Sequence, residues 1–292
     1  MSFQRFIAVD WSGAKKPGYT GVAVAECKPG RAAPWLVCNP RGRHWRRSDV
    51  RDWLSDRIAT DDPVLIGLDF AFALPWNGDG GYFPGSGVEL DDAPALWRLV
   101  DEVCADSECG ADLYAGPFID DERFGRFFWN QGHRPPAFGE GRLRMTEKRC
   151  KPPPECVFKL IGPKQVGKAS LSGMRLLHDL KAGLGEAVKV WPFEPVADGK
   201  SVCVDIFPRG FIARAGMGTR KIRELCVLNE VLEEHYESNP VAKDEEEPSD
   251  HDTDALVSAA ALRDLAGNEG LWRPEGMTAD VARREGWIFG VA

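Results

Sequence analysis

The run Val64-Leu65-Ile66-Gly67-Leu68-Asp69 constrains this chain more than any other stretch. A strand with one wet face alternates apolar and polar residues. An unbroken apolar run of strand length implies burial on both faces, as at the centre of a sheet covered by helices. Pro63 opens the run and a carboxylate closes it, so the strand ends where a charge must find solvent, a partner or a cation.

What precedes this strand fixes its neighbours. Phe6–Asp10 is a β-branched and aromatic run, Gly21–Cys27 alternates apolar and small residues, and Trp35–Cys38 is a short third run. Gly/Pro turns join them, and connectors this short favour an antiparallel meander, since parallel pairing needs a long crossover. Ser48 then reads as the cap of a helix running through Ile58. After the central strand, the pattern predicts a helix from Asp92 through Val103, a strand over Cys156–Ile161, and a helix over Ser172–Ala182. Strands over Val188–Phe193 and Val202–Phe207 follow, then helices over Lys221–His235 and His251–Leu265 and a closing strand over Trp287–Val291. The fold class expected is α/β: a mixed sheet of three antiparallel strands followed by parallel strands, flanked by helices. We read residues 1–292 as one domain. The Gly-, Pro- and aromatic-rich stretch 76–155 reads as an insertion within it.

Composition narrows the function classes. The 292 residues suffice for a sizeable core, and no apolar run approaches the roughly 20 residues of a bilayer span. The N-terminus meets a charge too early for a secretory leader, so a cytoplasmic protein with no membrane partner is expected. Cysteines 27, 38, 104, 109, 150, 156, 203 and 226 form no C-x-x-C pair, which argues against zinc. Cys27, Cys38 and Cys203 read as small buried thiols in strands. The net charge of −8, from 37 basic and 45 acidic side chains, gives no global attraction to a polyanion. Two local basic clusters remain, Arg41/Arg43/His44/Arg46/Arg47 and Arg142/Arg144/Lys148/Arg149/Lys151. Solvated loops and nucleic-acid contacts explain them about equally well.

The chemistry lies in the acids. Asp10 and Asp69 each end an apolar strand, at the edge where open α/β sheets gather functional groups. Two carboxylates there repel, and a bound Mg²⁺ relieves the repulsion. Ser249-Asp250-His251-Asp252-Thr253-Asp254 crowds ligand-type residues into the first turn of a helix. Capping accounts for Asp250 or Asp252. It accounts less well for Asp254, which begins the buried pattern and shares a face with His251. Asp205 sits inside a strand-like run, so it either pairs with Arg209 or another base or joins the site. Hard oxygen donors of this kind suit Mg²⁺ or Mn²⁺.

Taken together, Ala8-Val9-Asp10-Trp11-Ser12-Gly13, Gly67-Leu68-Asp69, Val166-Gly167-Lys168-Ala169-Ser170, Asp205-Ile206-Phe207-Pro208-Arg209 and Asp254-Ala255-Leu256 resemble the domain-of-unknown-function 429 family of predicted ribonuclease H-like nucleases. His-x-x-Asp-Ala-Leu is similar to the late-helix motif of RuvC-type resolvases. The resemblance covers most of the chain and is weakest over 76–150. It implies a ribonuclease H-like fold and metal-dependent hydrolysis of nucleic-acid phosphodiesters. Asp10, Asp69 and Asp254 would hold the metal, with Asp205 and His251 assisting catalysis. Where the family more often carries Glu, this chain has the shorter Asp205.

Gly162-Pro163-Lys164-Gln165-Val166-Gly167-Lys168-Ala169 approaches a phosphate-binding P-loop. It fails at Ala169, where a hydroxyl should meet Mg²⁺, and Pro163 removes a cradling amide. A weaker role is left open, in which Lys15, Lys164, Lys168 and Ser170 contact substrate phosphates. The aromatics of Phe124-Gly125-Arg126-Phe127-Phe128-Trp129 read mainly as a small core rather than base-stacking groups. A non-catalytic nucleic-acid or nucleotide binding protein on the same fold is the competing expectation. Sugar-kinase-like phosphotransfer, suggested by Asp10-x-Ser12-Gly13, is disfavoured by chain length.

Overall fold

A computed structural model of the protein describes residues 2–15, 21–60, 62–105, 112–135, 142–162, 165–218, 220–242 and 246–292. Strands β1 (Arg5–Asp10), β2 (Ala23–Cys27) and β3 (Trp35–Leu36) lead to helix α1 (Arg47–Ile58) and strand β4 (Val64–Leu68). Helices α2 (Ala93–Cys104), α3 (Gly116–Asp120), α4 (Glu122–Gly125) and α5 (Gly167–Leu184) come next, then β5 (Val188–Val190) and β6 (Ser201–Asp205). Helices α6 (Pro208–Ile212), α7 (Leu225–His235), α8 (Asp250–Leu265), α9 (Glu269–Trp272) and α10 (Ala279–Arg284) complete the chain. No helix among the described residues is long and apolar enough to cross a membrane.

One six-stranded sheet runs in the order β3-β2-β1-β4-β6-β5. The pairs β1–β2 and β2–β3 are antiparallel, whereas β1–β4, β4–β6 and β5–β6 are parallel. This is the mixed α/β arrangement expected from the sequence, and it matches a ribonuclease H-like sheet. The central strand β4 is buried along its whole length. The pleat divides the core into two layers. Ile7, Val9, Ile66 and Leu68 face α1, α2 and α5, while Phe6, Ala8, Leu65 and Val204 face α6, α7 and α8.

Gly67 explains how closely α8 lies on the sheet. A Cβ there would sit 2.8 Å from both Ile206 Cγ2 and Leu262 Cδ1. Gly13 is tighter still, because its Cβ would lie 2.1 Å from the Lys168 carbonyl carbon. That approach seats the loop after β1 directly on the first turn of α5.

Several elements differ from the sequence reading. Residues 156–161 form a turn touching Trp129 by an isolated bridge to Lys159, not a strand. Their apolar residues Val157, Phe158 and Leu160 are buried by side-chain packing alone. Residues 287–291 contribute only a bridge from Ile288 to Asp205, because Gly286 and Gly290, at φ +69° and +92°, bend the chain on either side. Helix α5 starts five residues before Ser172, α7 starts at Leu225 rather than Lys221, and Arg46 rather than Ser48 caps α1. Cys27 and Cys203 are buried as expected, but Cys38 is exposed.

Within 76–155, Phe118 and Phe124 stack at 4.5 Å and Phe83 meets both rings, so the aromatic run does form core. This core is continuous with the α1/α2/α5 layer. Neither basic cluster is wholly solvated, since Arg47 and Arg144 are fully buried.

Gly67→Ala should destabilise the protein by about 1–3 kcal/mol through overpacking against Ile206 and Leu262. Urea unfolding measures this, and an unchanged midpoint would contradict the packing described.

Candidate metal centre

Register brings the first two acids together. Val9 pairs with Leu68 across the parallel β1–β4 ladder, and the Asp69 amide donates to the Val9 carbonyl at 3.0 Å. Asp10 and Asp69 therefore emerge side by side where the strands end, close enough for each to alter the other's ionisation.

Helix α8 supplies the rest. Its start is set by a capping box: Ser249 Oγ accepts from the Asp252 amide at 3.2 Å, and Asp252 accepts from the Ser249 amide at 2.9 Å. Asp250 is engaged by Lys221 and by two bonds from Arg223, at 2.8 and 3.0 Å. Asp252 and Asp250 are thus occupied by capping and ion pairing. His251 and Asp254 turn towards the strand ends. His251 Nδ1 lies 2.6 Å from Asp10 Oδ2. Asp254 lies near enough to Asp10 and Asp69 to raise their cost of ionising. Asp69, Asp254 and His251 line one cleft of about 560 Å³, together with Arg209, Lys221 and Phe207.

The electrostatics show an under-compensated acidic cluster. Burial, then the charges of Asp10, Asp254 and Asp205, push Asp69 well above the ordinary carboxylate range. Burial also raises Asp10, against the opposing pull of His251. Asp254 is raised to about 7, by burial and then by Asp10, with Arg209 and His251 opposing. The hydrogen bond to Asp10 raises His251.

Asp205 takes a different path. It pairs with Leu68, one residue short of Asp69, so the pleat turns its side chain to the opposite face of the sheet. There Arg144 Nη1 donates to it at 2.7 Å, while Arg144 Nε donates to Glu147 at 2.9 Å. All three side chains are buried. The base that pairs with Asp205 is therefore Arg144, from the 76–155 stretch, and not Arg209. Burial still raises Asp205 to about 7 despite Arg144.

The proposed phosphate contacts separate. Ser170 is buried, donating to the Val166 carbonyl at 2.8 Å and accepting from the Ala71 amide at 3.1 Å, so it supports structure rather than ligand. Lys15 and Lys168 line a second cavity that shares Trp11, Gln165 and Ala169 with the acidic cleft. Lys164 lies outside the described residues. The P-loop reading fails for a structural reason too, because no strand precedes the turn.

Sequence reasoning missed Arg47, Arg144 and Glu285. Arg47 donates to the carbonyls of Ser12, at 3.0 Å, and Ala14, at 2.8 Å, clamping the loop after β1. Glu285 accepts from the amides of Trp76 and Met145, at 2.8 and 2.7 Å, and so ties the segment carrying Arg144 to the chain's end. Glu147, three residues beyond Arg144, was the one local hint of a buried ion pair.

Among the described residues, no three His, Cys, Asp or Glu side chains are already closed around a metal position. The donor chemistry nonetheless fits a hard divalent cation: oxygen donors whose ionisation is opposed by burial and by their mutual repulsion. Comparison of the chain with family models, curated proteins and solved structures finds no match.

Two outcomes follow from these charges. Arg144→Ala leaves Asp205 and Glu147 buried without their cation and should cost about 3–5 kcal/mol by urea unfolding; a change below about 1 kcal/mol would contradict that role. The raised acids hold protons in the folded chain that the unfolded chain has released, so their stabilisation is full below the ordinary carboxylate range. It is lost as pH climbs through the folded values, about 7 for Asp254, and the raised His251 acts in the same direction. Thermal melts of metal-free protein should therefore show this contribution fading from about pH 4 to above pH 7, and Asp69→Asn should flatten the slope. An identical slope in wild type and variant would exclude Asp69 as its source.

Proposed function

We propose that this chain is a metal-dependent nuclease of the ribonuclease H-like kind, hydrolysing phosphodiester bonds of nucleic acid. The observation that carries the reading is the convergence of three acids from two strand ends and a late helix: Asp69 and Asp254 line one cleft, and Asp10 is buried beside Asp69 and His251. The resemblance of the surrounding motifs to the domain-of-unknown-function 429 family and to RuvC-type resolvases points the same way. A cytoplasmic location goes with this reading.

Asp10, Asp69 and Asp254 would hold Mg²⁺ or Mn²⁺. When bound, such an ion supplies positive charge for the developing oxyanion and lowers the pKa of water. The chain's own residues supply the rest. Asp10 fixes the His251 ring through Nδ1, which leaves Nε2 to accept a proton from an attacking water. Water oxygen then bonds to phosphorus as the bond to the leaving oxygen breaks; that oxygen takes a proton from solvent, and His251 returns its own to solvent afterwards. Arg209, which lines the same cleft near Asp254, offsets the charge of the phosphate. Asp205 acts at one remove, holding Arg144 and the segment that forms the cleft's rim.

The test uses purified full-length chain with end-labelled single- and double-stranded DNA, RNA and an RNA–DNA hybrid, with and without Mn²⁺ or Mg²⁺. We expect metal-dependent cleavage of at least one substrate and its loss by a factor of about 10³ or more in Asp10→Asn, whose melting temperature should not fall. Equal cleavage by wild type and Asp10→Asn would overturn the assignment. Nucleic-acid binding without cleavage, and without Mg²⁺ or Mn²⁺ binding at millimolar levels, would instead identify a non-catalytic binding protein.

A further inference from the structure

The second cavity, beside the acidic cleft, has chemistry of the opposite sign. It measures about 460 Å³, a size suited to a nucleotide-scale ligand. Its charged and polar lining residues are Lys15, Lys168, Ser12, Gln165 and Tyr114. No acidic residue lines it among the described residues, although the chain carries a net charge of −8. The adjoining cleft, by contrast, is walled by Asp69, Asp205, Asp250 and Asp254. Trp11, Gln165 and Ala169 border both spaces.

This cavity is built rather than incidental. The loop Trp11–Lys15 is held on one side by the buried Arg47 guanidinium, which takes the carbonyls of Ser12 and Ala14. On the other side Gly13 lies against the backbone of Lys168 and Ala169, with no room for a side chain. Trp11 is anchored by its indole N–H, which donates to Ser172 Oγ at 2.8 Å. The loop carrying Lys15 is therefore held against the turn carrying Lys168 before any ligand arrives, which lowers the ordering cost of binding.

We propose that this cavity is a phosphate-binding subsite, in which Lys15 and Lys168 take the phosphate of a nucleotide unit neighbouring the one in the acidic cleft. Assignment of that phosphate to a nucleic-acid substrate rests on the nuclease reading; anion binding in the cavity does not. One wall, Trp11, would separate the phosphate to be cleaved from the phosphate that positions it. The subsite lets an acidic protein engage a polyanion locally, and it fixes the register of the strand relative to Asp10 and Asp69.

The experiment compares wild type, Asp10→Asn and the double variant Lys15→Ala/Lys168→Ala as full-length, metal-free protein. Calorimetry with inorganic phosphate, adenosine 5′-monophosphate and adenosine separates free phosphate from nucleotide as the source, and thermal melts check folding. Both lysines lie outside the core, so the double variant should melt as wild type does. We expect phosphate-bearing probes to bind wild type and Asp10→Asn alike and to bind the double variant about tenfold or more weakly, with adenosine unaffected. For oligonucleotides, the slope of log affinity against log salt should fall by between about one and two. Phosphate or nucleotide binding unchanged in the double variant would overturn the subsite. If wild type cleaves nucleic acid while the double variant keeps its KM, the subsite fails and the nuclease reading stands. If no variant cleaves but phosphate binding depends on the two lysines, the subsite stands and the nuclease reading fails.

Discussion

Two carboxyl groups held side by side at the ends of adjacent parallel strands are the constraint on which the rest of this structure turns. The β1–β4 register leaves Asp10 and Asp69 no way to separate, since the Asp69 amide is bonded to the Val9 carbonyl. Asp10 is buried and Asp69 half-buried at the cleft, and both are pushed towards protonation. His251 pairs with Asp10 and also eases the ionisation of Asp254, yet both acids stay raised. A fold that keeps four acids near one sheet edge needs cations there, and the protein supplies only some: His251 for Asp10, Arg209 near Asp254, Arg144 for Asp205. Metal binding at the remaining deficit is what the nuclease proposal adds.

The chain uses its glycines and buried arginines to set the surroundings of this edge. Gly67 lets α8 approach closely enough for His251 and Asp254 to reach the strand ends. Arg144 and Arg47 do comparable work on the other side of the sheet, each reaching from a basic cluster into the interior to bind oxygens that would otherwise be buried unpaired. Glu285 closes the arrangement by fastening the end of the chain to residues 76 and 145. The acidic cleft and the lysine-lined cavity share Trp11, Gln165 and Ala169 as borders, so charge of both signs is sorted at one edge of the sheet.

How much was readable beforehand differs by element. The apolar run ending at Asp69, the three-strand meander and the α8 motif were legible because each is a local pattern with a single physical reading. The strands expected at 156–161 and 287–291 were not formed, since apolar composition signals burial and says nothing of whether a ladder partner is free. The convergence of Asp10, Asp69, His251 and Asp254 followed from strand-end and helix-face logic. The partner of Asp205 did not, because it lies 61 residues away in a stretch with no periodicity. Arg47 was hidden for the same reason: in a run of exposed basic residues nothing marks the one that turns inward. Ser170 was drawn towards ligand by its resemblance to a phosphate loop, whereas its hydroxyl satisfies the chain's own backbone.

The most direct measurement is anomalous diffraction from crystals soaked in Mn²⁺. The account predicts a Mn²⁺ peak at the strand ends with carboxylate oxygens of Asp10, Asp69 and Asp254 at about 2.0–2.3 Å, and Asp205 still held by Arg144. A Mn²⁺ peak elsewhere on the molecule, or none at this edge at millimolar metal, would contradict it.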